Sequence, residues 1–179
     1  MIKRYTGGML MEIWDGYNRD GKLANVDVIR GDLLPAGLYH LVCEVLVRHT
    51  DGDYLLMQRD FSKQIYGGYY EASAGGSALK GEDPLTCVKR ELFEETGILS
   101  EDFEEIGSVV CDEDHCMFYT FLCVTDWDKM SITLQKGETI SYRWVNEKDF
   151  ISFVNSEEMI KTQKQRYLNY LNQKGYLWT

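Results

Sequence analysis

The pattern of apolar and polar positions divides the chain into strand-like and helix-like segments. Two apolar-rich runs, residues 11–17 and 25–29, flank the turn-rich Asn18-Arg19-Asp20-Gly21, which predicts a β-hairpin over residues 10–30. Residues 40–49, rich in apolar positions, predict a strand, and 54–59 a strand that returns beside it. Between them lies Thr50-Asp51-Gly52-Asp53, where Asp-Gly supplies the positive φ of a tight turn. A third short strand is expected within residues 66–74, ending at Gly75-Gly76. The period then changes. Leu85, Val88 and Leu92 recur at helical spacing and predict one buried stripe. Asp83 can cap this helix, Pro84 fits its first position, and Gly97 suits a left-handed end. Strands are expected again near 105–111, 115–124 and 140–145. Helices are expected near 147–154 and 157–173, the last opened by Asn155 and Glu158 at capping-box-like spacing and closed by Gly175. Strands and helices in mixed order indicate an α/β or α+β fold rather than a doubly wound sheet.

Length and charge narrow the function classes. A chain of 179 residues, 44% of them hydrophobic, can bury one substantial core. The sequence divides into an N-terminal extension, residues 1–38, expected to be a β-hairpin, and a main domain, 39–179. No apolar run is long enough to span a membrane, and the start MIKRYTGGML has no leader-like apolar region. The net charge of −10 disfavours a nucleic acid polymer or an anionic membrane as partner, and suits carboxylates that hold a cation. Five cysteines, Cys43, Cys87, Cys111, Cys116 and Cys123, form no CxxC pair. They are expected as small buried hydrophobes in a protein of the reducing cytoplasm.

Chemistry concentrates in residues 76–98. Glu91, Glu94 and Glu95 lie at i, i+3 and i+4 of the expected helix, and so share one side of it. Alone this is as consistent with a solvated acidic face as with a site for Mg²⁺ or Mn²⁺, hard cations that take carboxylate oxygens. The wider window reads Gly76, five residues, Glu82, seven residues, then Arg90-Glu91-Leu92, one residue, Glu94-Glu95, one residue, Gly97-Ile98. It matches every position of the Nudix box, and the chain resembles the Nudix hydrolase family from about residue 39 to 150.

The resemblance implies an α/β/α sandwich with a mixed central sheet, and a small-molecule diphosphate as substrate. Glu94 and Glu95 would ligate the metal, helped by the Gly75 carbonyl. Glu91 would be a general base or a further ligand, Arg90 would orient it, and Glu82 would complete the cluster. Gly76 would let the backbone approach the metal. Outside the box, Arg59 and Lys63 are candidates for gripping diphosphate, or solvated charges. Asp112, Glu113 and Asp114 offer a further carboxylate or a plain acidic turn, and Glu138 is another option. His40, His49 and His115 lack metal-ligand spacing. Tyr66, Tyr69, Tyr70 and Trp127 could stack a base or pack the core.

Part of the chain also resembles isopentenyl diphosphate isomerase. The similarity covers Tyr39-His40, Arg59 with Ser62-Lys63, the stretch 112–116, and Glu138 with Tyr142 and Trp144. That enzyme needs a cysteine on the strand entering the box. Here that strand, residues 69–76, contains none. The expected activity is Mg²⁺- or Mn²⁺-dependent hydrolysis of a nucleoside diphosphate derivative or another organic diphosphate. Isomerase chemistry and a non-catalytic binding module are the alternatives, and a homodimer is an arrangement the family allows.

Overall fold

The computed structural model describes residues 4–6 and 9–178; parts of the opening segment read above for a leader, and Thr179, lie outside the described residues. The strands are β1 (Arg4–Thr6), β2 (Met9–Met11), β3 (Ile13–Asn18), β4 (Leu23–Ile29), β5 (Leu38–His49), β6 (Tyr54–Arg59), β7 (Tyr70–Ala72) and β8 (Ala74–Ser77). Helix α1 (Pro84–Thr96) precedes β9 (Phe103–Cys111), β10 (Cys116–Thr125) and β11 (Thr139–Val145). Helices α2 (Glu147–Val154), α3 (Lys161–Arg166) and α4 (Leu168–Lys174) follow.

The main sheet runs β11-β6-β5-β10-β9, with β5 and β10 parallel and the other pairs along it antiparallel. It is mixed, and helices cover both faces. Alternate residues of β5 point to opposite faces. Leu41, Cys43, Val45 and Val47 pack with Val88 and Leu92 of α1. Leu46 packs on the other side with Phe150, Phe153, Tyr167 and Leu171 of the C-terminal segment. A strand buried on both faces has to be largely apolar, which is why 41–47 is apolar at every position but Glu44.

The helix signals at α1 are realised. Asp83 accepts from the Thr86 N–H at 2.7 Å, Pro84 opens the helix, and Gly97 ends it at φ 77°. The stripe differs at one position. Leu85 is exposed, and Cys87, Val88, Leu92, Glu95 and Thr96 form the buried side. Leu85 stands in the first turn, before the helix meets the sheet.

Two further expectations are corrected. The strand expected within 66–74 is split at Ser73, whose φ is +38°. β7 pairs with β6 and β8 crosses to β5, so Gly75 and Gly76 lie inside a strand rather than ending one. The buried Ser73 hydroxyl holds the crossing, accepting from Val47 N–H at 2.8 Å and donating to Leu55 O at 2.9 Å. The single helix expected over 157–173 is two short ones, broken at Tyr167. Asn155 caps the end of α2 and does not open the next helix. Its amide donates to Ile151 O and Tyr176 O at 2.8 and 2.7 Å, and its oxygen accepts from Trp178 N–H at 3.0 Å. It ties the chain end to α2, and α3 starts at Ile160 without a side-chain cap.

The hairpin expected over 10–30 is formed by β3 and β4. β3 also joins the edge of β5 through Tyr17 and Asn18. The backbone N–H of Lys80 donates to Ile13 O at 2.8 Å, and that of Gly81 to the Asp15 carboxylate at 2.7 Å. Lys80 and Asp27 form an ion pair. The hairpin is thus stitched to the loop that leads into α1.

Candidate active site

β8 and α1 form the walls of a cavity of about 250 Å³, lined by Gly75, Gly76, Arg90, Glu91, Glu94 and Glu95. The 3.6-residue turn sets the three glutamates on the side of α1 that faces β8. Contact there is so close that a Cβ at Gly76 would lie 2.4 Å from the Glu91 carboxylate. The cavity also takes in Arg59 and Lys63 from β6 and its following loop, and Gln135 and Glu138 from the segment before β11.

Arg90 is the hub of the carboxylates. It gives Nε and Nη2 to the two oxygens of Glu82 at 2.8 and 2.9 Å. Nη1 meets Glu91 at 2.6 Å and Glu94 at 3.3 Å. Glu82 also accepts from Leu79 N–H at 2.8 Å. Both its oxygens are therefore occupied, and it does not line the cavity; it holds Arg90 in place. Burial pushes the Glu82 acidity one way, and the bonds from Arg90 and Leu79 outweigh it, leaving its pKa below the ordinary value.

Glu95 is only 5% exposed and forms no ion pair among the described residues. Burial, and then the charges of Glu71, Glu91 and Glu138, raise its pKa well above the carboxylate range, while the Gly75 backbone works the other way. Burial also raises Glu91; Arg90 pulls it down, and Glu94 and Glu12 push it up. Among the described residues no three His, Cys, Asp or Glu side chains converge as they stand to hold an ion. The donor chemistry nevertheless fits a hard divalent cation: the groups are carboxylate oxygens, and a buried one faces three others.

The other expected residues divide. Arg59 gives Nη1 to both oxygens of Glu71 at 3.1 and 2.9 Å, and its buried Nε has no hydrogen-bond partner. Lys63 is paired with Glu138. Asp112 and Asp114 are not brought to the cavity. Asp112 is bound by Arg19 at 2.8 and 2.9 Å and by the Tyr39 hydroxyl at 2.7 Å. Asp114 accepts from the Cys111 thiol at 3.4 Å. His40 stacks on Trp14, 4.3 Å between centroids, and Tyr70 lies under the Arg143 guanidinium. Sequence reasoning missed Glu12 and Arg30, both of which line the cavity. No sequence signal marks them; the pairing of Ile13 with Ile29 that sets Glu12 beside Arg30 is seen only in the fold.

A glutamate-bearing helix face with buried Glu95, an arginine hub and a glycine strand meet in this α/β/α sandwich. The NUDIX domain model matches residues 38–169. An uncharacterized Nudix hydrolase of Listeria monocytogenes is 33% identical over 160 residues, covering 84% of this chain and 89% of its own length. A Listeria innocua relative of the same description is 31% identical over 151 residues, with the same coverage. A solved protein of Deinococcus radiodurans shares the fold at TM-score 0.70 and 16% identity, across 89% of this chain and 99% of that one. The NUDIX domain of Shewanella oneidensis NrtR, solved with ADP ribose, superposes at TM-score 0.59 and 14% identity, across 76% and 88%. The chain belongs to the Nudix hydrolase family, and with it to the pyrophosphohydrolases. No helix among the described residues is long and apolar enough to cross a membrane.

Proposed function

We propose that the protein hydrolyses a diphosphate linkage in a nucleoside diphosphate derivative or another organic diphosphate, using Mg²⁺ or Mn²⁺. The observation that carries this reading is Glu95, a buried carboxylate held among like charges with no cationic partner among the described residues. Glu94, Glu95 and the Gly75 carbonyl are the groups that would hold the metal, with Glu91 either a further ligand or the base. When bound, the cation neutralises diphosphate charge and acidifies a water. Glu91 is the candidate base, because its raised pKa makes it a better proton acceptor than an ordinary carboxylate. Arg90 orients Glu91, and Glu82 fixes Arg90. Arg59, Lys63 and Glu138 stand at the substrate's side of the cavity, and Gly76 keeps the wall free of side chains. Asp112 and Asp114 are left out of this reading, since their partners lie elsewhere.

No cysteine lines the cavity among the described residues, which favours hydrolysis over an isomerisation that needs a thiol there. All five cysteines are free thiols, consistent with a cytoplasmic setting. Residues 39–179 are read as the catalytic domain and 1–38 as an extension to it.

The test is hydrolysis with Mg²⁺ or Mn²⁺, followed by phosphate release through a coupling phosphatase. The panel is ADP-ribose, NADH, nucleotide sugars, dinucleoside polyphosphates, coenzyme A and isopentenyl diphosphate. A hit that disappears in Glu95→Gln is the expected result. Silence across the panel, or equal turnover in the mutant, overturns the reading.

A further inference from the structure

We infer that Arg30 is the cation that receives the outer, anionic phosphate of the substrate, so that the N-terminal hairpin completes the active site. This deepens the hydrolase reading and rests on it. Arg30 and Glu12 lie outside the matched NUDIX domain, residues 38–169, yet both line the same cavity as Glu91, Glu94 and Glu95.

Among the described residues, four cationic side chains line that cavity: Arg30, Arg59, Lys63 and Arg90. Three are paired and mostly shielded from water. Arg90 serves Glu82, Glu91 and Glu94, and its side chain is only 15% exposed. Arg59 gives only its Nη1 to the two oxygens of Glu71, with its side chain 24% exposed, and Lys63 pairs with Glu138 at 22%. Arg30 differs. Among the described residues it bonds Glu12 through Nη1 alone, at 2.9 Å, and its side chain is 59% exposed. Exposed ion pairs of this kind contribute little to stability and exchange readily for a better anion. The remaining face of the guanidinium fork matches two phosphate oxygens at once.

The hairpin also delivers Arg30 from a fixed base. Its backbone N–H donates to Glu12 O at 3.0 Å, closing the strand pair next to Ile13 and Ile29. Ile13, Trp14 and Val28 are buried. The bonds from Lys80 and Gly81 to Ile13 and Asp15 tie the hairpin to the loop carrying Glu82. Glu12 and Arg30 share one cavity lining with Glu91, Glu94 and Glu95, which places the pair at the working carboxylates rather than on a remote surface. A substrate phosphate would displace Glu12 from Arg30 and move a carboxylate away from the incoming negative charge.

The test uses methylenediphosphonate, a diphosphate analogue that cannot be hydrolysed, titrated calorimetrically into the full chain in Mg²⁺. Arg30→Ala should weaken binding by about tenfold or more, and Arg30→Lys, which keeps charge without the fork, by roughly threefold. Glu12→Gln, which frees Arg30, should bind at least as tightly as wild type. Matching thermal melts establish that each variant folds. Arg30→Ala within about twofold of wild type, or wild type that does not bind at millimolar analogue, overturns the inference. If Arg30→Ala binds normally while Glu95→Gln abolishes turnover in the substrate panel, the hairpin's role falls and hydrolysis stands. If Arg30→Ala weakens binding but no substrate is turned over, the diphosphate site stands and hydrolysis falls.

Discussion

Arg90 and Arg166 occupy opposite sides of β5, each against carboxylates shielded from water, and they are organised differently. Arg166 and Glu44 form a closed pair, Nε and Nη2 meeting the two oxygens at 2.8 and 2.5 Å, with the guanidinium 4.3 Å over the Phe118 ring. One cation answers one anion. Arg90 is shared by Glu82, Glu91 and Glu94, and Glu95 beside them pairs with no cation among the described residues. A balanced pair holds structure together. An over-subscribed arginine marks a place where the folded chain still lacks positive charge, and that is where a divalent ion and its substrate would act.

The sharpest way to break this contrast is Glu95→Gln. It removes one anion from the unbalanced side, and turnover should fall by about a thousandfold or more while the melting temperature holds or rises. Near-wild-type turnover would put Glu95 outside the chemistry. On the balanced side, Arg166→Met strands a buried Glu44 and should lower stability by about 3 kcal/mol in denaturant melts. The double substitution Glu44→Leu, Arg166→Met should recover most of that loss. A single mutant as stable as wild type would mean the pair is not closed as described.

The pH dependence separates the two sides further. Burial and like charges raise Glu95 and Glu91 above the ordinary 4.5. The folded state therefore keeps protons that the unfolded chain has released. The stability these groups contribute falls as pH climbs from the unfolded pKa through the raised folded ones. In chelator, the melting temperature should decline as pH rises above the ordinary carboxylate value of 4.5. Glu95→Gln should flatten that slope, and millimolar Mg²⁺ should raise the wild-type value at the upper end. A flat wild-type profile would argue that the cluster is not strained by its charges. The smallest effect is expected at the rim. Lys63→Ala, which frees Glu138, should raise KM severalfold with kcat nearly kept, and unchanged kinetics would remove Lys63 from substrate binding.

The sequence showed most where structure is local. α1 declares itself through Asp83, Pro84 and Gly97, because caps and turns depend on neighbours in the chain. The spacing of Glu91, Glu94 and Glu95 needed only the helical repeat. The C-terminal helices were misjudged because their break at Tyr167 is decided by packing. Tyr167, Tyr170, Leu171 and Tyr176 all bury against one sheet face, and a continuous helix through 157–173 would turn part of that set away. Leu85 fits the stripe in sequence but precedes the contact in space. Arg30 and Glu12 were invisible for the same reason. Nothing within the hairpin indicates that Lys80 and Gly81 will hold it beside the box.

The parallel pairing of β5 with β10 matches His40 to Cys116, and this has a bearing on how the protein is made. A ribosome adding about 5–20 residues per second needs roughly 4–15 s to cover the 76 positions from 40 to 116. Through that interval the β3–β4 hairpin and β6 can dock on the nascent β5. Its opposite edge, in a strand apolar almost from end to end, stays open. Such an edge is a template for pairing with other chains. Yield in cells should therefore depend on translation speed and chaperone supply more than the stability of the finished fold suggests.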